Sequence, residues 1–267
     1  MSSRIILVTG SNTGIGYELV HLLAAKGHTV YLASRKEAAG LAAVEKIKKE
    51  KGFDVKFVQL DTNDSKSVDT AAAKIKADEG RLDVLVNNAG ALSIFLFLLP
   101  YLLPLVCAGI AEMTVQQSAS EPSIPAIRNT IETNLIGLIQ TTTVFLPLLR
   151  SSATSTQPAV ILNVSTDMAS NSFMASPKGY LHQTLAYNTS KAAANAYTIA
   201  LAREMKDKGE NVKVNAVTPG FTTTALNGFA DGGKTPEQGA ATMLPWILLE
   251  SDGKTGAFGF DGGEFPW

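Results

Sequence analysis

Tyr187 and Lys191 stand four residues apart in Tyr187-Asn188-Thr189-Ser190-Lys191. On a helix, residues with that spacing share a face, so a phenol and an ammonium can meet one ligand. A free phenol loses its proton near pH 10, about three units too high for acid–base work at neutral pH. A neighbouring ammonium favours the phenolate and lowers that value, the tuning that general acid–base chemistry needs. A second group of residues is suited to an anion: Thr9-Gly10-Ser11-Asn12-Thr13-Gly14-Ile15-Gly16. A phosphate needs bare backbone N–H groups with no side chain in the way, and a helix that follows points its positive end at the anion. Gly10 is expected to make the turn, Gly14 to admit a pyrophosphate and Gly16 to let the helix pack on the strand.

These residues must be held by strands and helices, and the pattern supplies both. The apolar run Ile5 to Val8 enters the glycine turn, and Leu19, Leu22 and Leu23 leave it at helical spacing. Strands alternate with helical patterns along the 267 residues, which predicts one α/β domain (1–267), a parallel sheet with helices on both faces. Thr29 to Ala33 reads as the second strand, followed by a helix through Leu41, Val44 and Ile47. Arg35, with Lys36 beside it, stands where an acid would bind the ribose of NAD. A guanidinium there grips a 2′-phosphate, which favours NADP; the alternative is a solvated Arg opening a helix.

Val55 to Leu60 reads as the third strand, ending at Asp61-Thr62, with Asp61 and Asp64 placed to cap the helix Ser65 to Ala77. Leu82 to Val86 is the fourth, followed by Asn87-Asn88-Ala89-Gly90, whose small residues let the loop lie against a cofactor while Asn87 ties adjacent strands. A helix from about Ile127 to Leu149 carries Asn134 and Gly137. Ala159 to Val164 leads to Ser165-Thr166, and Val212 to Val217 leads to Pro219-Gly220, Thr222 and Thr224.

Ala91 to Gly109 is uncharged and close to the roughly 20 apolar residues that span a bilayer. Its composition is dominated by residues with pyrimidine-rich codons and ends in Cys-Ala-Gly, and its removal joins Gly90 to Ile110-Ala111-Glu112-Met113. We read it first as a retained intron, second as an apolar loop over the substrate cleft, and third as a membrane contact, which Pro100 and Pro104 disfavour.

The formal net charge is −1, with no basic block, which argues against nucleic acid as a partner. The single cysteine, Cys107, excludes a disulfide framework within the chain. The first strand starts close to Met1, so no signal segment is expected and a cytoplasmic setting fits. His21, His28 and His182 read as surface residues, and no metal-ligand spacing occurs. Phe173, Met174, Pro177, Tyr180 and Leu181 line a substrate pocket or fill a lobe, and Asn227 to Lys234 reads as a lid or a plain surface loop.

Taken in order, T-G-x-x-x-G-x-G, N-N-A-G, N-x-x-G, Y-x-x-x-K and Pro219-Gly220 resemble the short-chain dehydrogenase/reductase family, from Ile5 to the C-terminus apart from the apolar stretch. The ending, Thr235 to Ala240 and Gly256 to Trp267, is similar to the carbonyl reductase branch. The resemblance implies a Rossmann-like doubly wound sheet and hydride transfer between NADP(H), rather than NAD(H), and a small carbonyl or alcohol substrate. It makes Tyr187 the general acid and Lys191 the residue that lowers its pKa and binds the ribose. Asn134 holds a relay water. The hydroxyl that polarises the carbonyl is Thr166, with Ser165 just before it, where the family has a second Ser. The implied cofactor contacts run through Gly10, Ser11, Asn12, Thr13, Gly14, Ile15 and Gly16, then Arg35 and Asp61-Thr62 at the adenosine end. They continue through Asn87, Ala89, Gly90, Tyr187 and Lys191 to Pro219, Gly220, Thr222 and Thr224 at the nicotinamide. Two other readings stay open: a non-catalytic NADP-binding regulatory protein, and a poorly active product carrying the intron segment. Monomer or homo-oligomer is left open.

Overall fold

In the computed structural model, residues 2–90 and 118–267 are described, and the stretch 91–109 lies outside them. The eight strands are β1 (Ile5–Val8), β2 (Thr29–Ser34), β3 (Lys56–Gln59), β4 (Val84–Asn87), β5 (Ala159–Val164), β6 (Val212–Val217), β7 (Phe258–Phe260) and β8 (Gly263–Glu264). They form one sheet in the order β3-β2-β1-β4-β5-β6-β7-β8. Every pair from β3 to β7 is parallel, and only β8 runs antiparallel to its neighbour. The helices are α1 (Gly14–Ala25), α2 (Glu37–Lys51), α3 (Ser65–Glu79), α4 (Ile124–Ile131), α5 (Gly137–Ser152), α6 (Asn171–Met174), α7 (Leu185–Asp207), α8 (Pro236–Ala241) and α9 (Leu244–Ile247).

Successive side chains of a strand face opposite sides, and β1 shows the consequence. Ile6 and Val8 join a core with Leu19, Val20 and Leu23 of α1 and Ile47 of α2. Ile5 and Leu7 join a second core with Ile75 of α3, Phe145 of α5 and Met205 of α7. Strands buried on both faces read as unbroken apolar runs, which is how they appear in this chain. No described helix is long and apolar enough to cross a membrane.

Three expectations shift. β4 starts at Val84, because the Leu82 N–H bonds the Leu148 carbonyl and Asp83 accepts the Ile5 N–H at 2.7 Å through its side chain. The expected helix Ile127 to Leu149 runs from 124 to 152, with a π turn at Glu132–Ile136 between α4 and α5 that carries Asn134. Leu41 is not on the inner face of α2: it is 46% exposed, and Gly40 faces inward because the Phe57 ring occupies the space a Cβ would need. The histidines also differ from expectation. His28 is buried, its Nδ1 accepts the Arg4 N–H at 3.3 Å, and burial followed by the Arg4 charge lowers its pKa. His21 leans on the Phe53 ring, 5.8 Å between centroids, whereas His182 is exposed as expected.

Candidate active site

β1 pairs with β2 on one side and β4 on the other, so the crevice at the strands' C-terminal ends opens between β1 and β4. The glycine turn lies there. Gly10 and Gly14 have φ of +59° and +61°, the left-handed region that glycine enters without a Cβ penalty. A Cβ on Gly10 would stand 2.8 Å from Ala89 Cα, so the Asn87–Gly90 loop lies against the turn. Thr9 Oγ1 accepts the N–H groups of Asn88 and Ala89 at 3.0 and 2.9 Å, and Asn88 Nδ2 donates to the Thr9 and Gly10 carbonyls. A Cβ on Gly16 would meet Asn88 Nδ2 at 2.5 Å and Ser11 Cα at 2.9 Å, so this glycine lets α1 pack on the turn that leaves β1 and makes room for the Asn88 side chain. Thr13, at the N-cap of α1, makes no side-chain capping bond, which leaves the first amides of α1 to an outside acceptor. Thr224 closes over the turn, its methyl 3.7 Å from the Gly14 Cβ position. A cradle of bare backbone at a helix start fits a pyrophosphate.

The reactive side chains converge opposite this cradle. Tyr187 and Lys191 lie on one face of α7, both buried, with Nζ 6.0 Å from the Tyr187 ring centroid. Lys191 Nζ donates to the Val164 carbonyl at 2.8 Å, and burial pushes its pKa down to about 8. Burial, and after it the charge of Asp167, pushes the Tyr187 phenol up. The expected lowering by Lys191 therefore does not appear in the protein alone. Asn134 is fully buried and donates to Ser190 Oγ at 3.0 Å, which in turn donates to the Tyr187 carbonyl at 2.8 Å. A Cβ on Gly90 would lie 3.4 Å from Lys191 Nζ and 3.5 Å from Asn134 Oδ1, so one point brings the three motifs together. Ser165 is tied to Asn195 Oδ1 at 2.7 Å, whereas Thr166 donates to its neighbour Asp167 at 3.0 Å.

Ser11, Asn87 and Thr222, all implied cofactor contacts, use side-chain groups for internal bonds. Ser11 is fully buried: Oγ donates to Val8 and accepts the Ala33 N–H, and its own N–H bonds Ala33. Asn87 Nδ2 donates to Thr142 and Asn163 at 2.9 and 2.8 Å, tying β4 to β5 and α5. These pairs are internal, while the buried Asn87 Oδ1 has no hydrogen-bond partner among the described residues. Thr222 is likewise buried and bonds the Gly220 carbonyl, while Gly220 takes φ of +77° after buried Pro219. Asp61 accepts the Asn63 N–H at 3.0 Å, Asp64 caps α3 through the Lys66 N–H, and the Thr62 carbonyl receives Gln140. Arg35 is exposed at the end of β2. Asn12, Thr13, Gly14, Ala39 and Lys46 line a groove beside the glycine turn, with Ile15 packed into the core below. Phe173 divides the expected lobe: it packs edge-on to Tyr180 and against Phe265, while Leu181 and Pro177 stay exposed.

Sequence reading missed Asp167, Asn88 and Asn195. Asn88 left a signal as the second residue of N-N-A-G, and Asp167 as an acid directly after the Ser-Thr pair at the end of a strand. Among the described residues no cluster of His, Cys, Asp or Glu is placed to hold a metal ion.

The sheet order and the glycine turn define a Rossmann-like, doubly wound α/β protein. The family described as short chain dehydrogenase matches residues 4–232. The (+)-neomenthol dehydrogenase of Capsicum annuum is 31% identical, over 96% of this chain and 95% of that one. Carbonyl reductase (NADPH) 1 of Bos taurus is 28% identical, over 94% and 93%. The structure of salutaridine reductase from Papaver somniferum superposes with a TM-score of 0.75 at 27% identity, covering 96% and 99% of the two chains. This chain belongs to the short-chain dehydrogenase family of oxidoreductases.

Proposed function

We propose that this chain is an NADPH-dependent reductase of aldehydes or ketones. The observation that carries the reading is the meeting of Gly90, Asn134 and Lys191 at one point, on the same helix face as Tyr187. Tyr187 gives its hydroxyl proton to the carbonyl oxygen. Thr166 would turn its hydroxyl proton from Asp167 to the same oxygen, donating the bond a Ser would from a stiffer χ1. Lys191, anchored to Val164, presents its remaining protons to a ribose, and Asn134 orients a relay water. The turn from Gly10 to Gly16 would hold the pyrophosphate of NADPH, Arg35 its 2′-phosphate, Asp61 and Thr62 its adenine, and Ala89, Pro219 and Thr224 its nicotinamide half. When bound, NADPH supplies a hydride to the carbonyl carbon. The names of the bovine and poppy relatives, a carbonyl reductase and a salutaridine reductase, support the direction. Purified protein should oxidise NADPH with members of a carbonyl panel, and silence across a broad panel would leave the regulatory reading.

The preference for NADPH rests on Arg35. Arg35→Asp replaces an attraction to the 2′-phosphate with a repulsion, and is expected to weaken NADPH by roughly 10- to 100-fold while NADH changes little. Fluorescence titration of both cofactors reads the ratio directly. A ratio that stays put makes Arg35 a solvated residue at the entry to α2 and removes the preference.

A further inference from the structure

The Thr166 hydroxyl has one proton, and in the protein alone it goes to Asp167 Oδ1 at 3.0 Å. The same hydroxyl oxygen accepts the Met168 N–H at 3.4 Å, so the group is held at both ends. To polarise a carbonyl it must leave the carboxylate, and an ionised carboxylate is a strong acceptor for such a proton. How firmly Asp167 keeps it depends on what else Asp167 receives. The Met168 N–H reaches Oδ1 at 3.1 Å, and the Tyr180 hydroxyl donates to Oδ2 at 2.6 Å. The bond from Tyr180 fixes the direction of the carboxylate and occupies the oxygen that Thr166 does not use.

Tyr180 is itself supported from behind. Phe173 of α6 packs edge-on to its ring, with centroids 6.0 Å apart, and the Phe265 ring lies against Phe173 at 5.3 Å. The Phe265 N–H donates to the Phe258 carbonyl of β7, and its ring meets that of fully buried Phe258 at 5.5 Å. α6 is tied down on both sides of Phe173: the Ser172 N–H donates to the Trp267 carbonyl at 3.2 Å, and buried Ser170 accepts the Phe173 N–H at 3.0 Å. A continuous series of contacts therefore runs from β7 through Phe265, Phe173 and Tyr180 to Asp167 and the Thr166 hydroxyl.

We propose that Tyr180 is a positioning residue: by holding the Asp167 carboxylate it leaves the Thr166 proton free to turn to the substrate's carbonyl oxygen. Without the Tyr180 hydroxyl, Oδ2 loses its donor, the carboxylate can rotate, and both its oxygens compete for the Thr166 proton. Tyr180 acts through Asp167 and Thr166 and gives no proton to the substrate. The inference rests on Thr166 polarising the carbonyl, as in the reading above.

Y180F keeps the ring against Phe173 and removes only the hydroxyl, so NADPH affinity and the thermal midpoint should stay near the wild type. With an accepted carbonyl, kcat should fall about 10-fold, the scale of one hydrogen bond to a charged group. KM should change little, because the polarising bond strengthens in the transition state. The discriminating measurement is a double-mutant cycle with T166A. In that background Y180F should cost nothing further, since no hydroxyl is left to direct. Should T166A turn over too slowly to measure, the cycle is run with D167A, where the Tyr180 hydroxyl again has nothing to hold. Should Y180F fail to bind NADPH, F265A, which removes the ring behind Phe173, takes its place in the cycle with the same expected non-additivity. A Y180F variant with wild-type kcat, or one that changes KM alone, overturns the proposal. So does a loss that persists undiminished in the T166A or D167A background. T166A with full turnover removes the role of Thr166 and this inference with it. An inactive Tyr187→Phe beside a fully active Y180F overturns this inference alone.

Discussion

Tyr187→Phe is expected to lower kcat for carbonyl reduction by roughly 10²- to 10⁴-fold, the range that a positioned proton donor supplies. NADPH affinity should be nearly unchanged. The reason is local. Tyr187 is 8% exposed, and the substitution removes an oxygen from a buried ring without opening a cavity. The ammonium of Lys191 is anchored to the Val164 carbonyl at 2.8 Å and does not depend on the phenol for its place. Ser190, which receives the Asn134 amide, bonds the backbone carbonyl of residue 187, which the substitution leaves intact. Steady-state turnover and a fluorescence titration of NADPH separate the two effects. Full turnover in the variant would remove Tyr187 from the proton path.

Deleting Ala91 to Gly109, so that Gly90 is followed by Ile110, is expected to raise both the soluble yield and the turnover of NADPH. The departure point of this stretch decides the case. A Cβ at Gly90 would lie 3.4 Å from Lys191 Nζ and 3.5 Å from Asn134 Oδ1. The chain therefore enters about nineteen uncharged residues directly beside the reactive groups. A displacement of about 1 Å in such a group can cost 10²-fold, which sets the scale of the gain expected on removal. A large apolar stretch left in solvent also exceeds what a soluble monomer ordinarily tolerates. Expression of both forms side by side measures both quantities. A shortened form that is less active identifies the stretch as a working part of the cleft. Sequencing the transcript is independent: if every mature message keeps the segment, the intron reading is wrong.

Much of this arrangement was legible because its determinants are local. Helical spacing put Tyr187 and Lys191 on one face, and strand, glycine turn and helix followed one another in sequence. The parallel sheet followed from alternating strands and helices, and the buried runs of β5 and β6 fell where the apolar residues did. What was hidden depends on partners distant in sequence. The Ser11 hydroxyl pairs with Val8 and Ala33, and the Asn87 amide protons with Thr142 and Asn163, partners that the local sequence does not reveal. Leu41 fitted the inner stripe of α2 until the Phe57 ring claimed the space beside Gly40. His28 has no neighbour in sequence that predicts its burial against Arg4. The pKa of Tyr187 was misjudged for the same reason: spacing reveals Lys191, but not the desolvation of both groups or the charge of Asp167.

The central claim is that this cleft moves a hydride from a nicotinamide to a carbonyl carbon while Tyr187 supplies the proton. Its most direct test is NADPH carrying deuterium at the transferable position of the nicotinamide, incubated with the protein and an accepted ketone in ordinary water. The account predicts one deuterium on the carbinol carbon of the alcohol, none on its oxygen, and labelled alcohol formed roughly 10²- to 10⁴-fold more slowly by Tyr187→Phe. Cofactor that binds but gives no labelled alcohol with any carbonyl would contradict it, and would leave a nucleotide-binding protein whose Tyr187 and Lys191 serve no reaction.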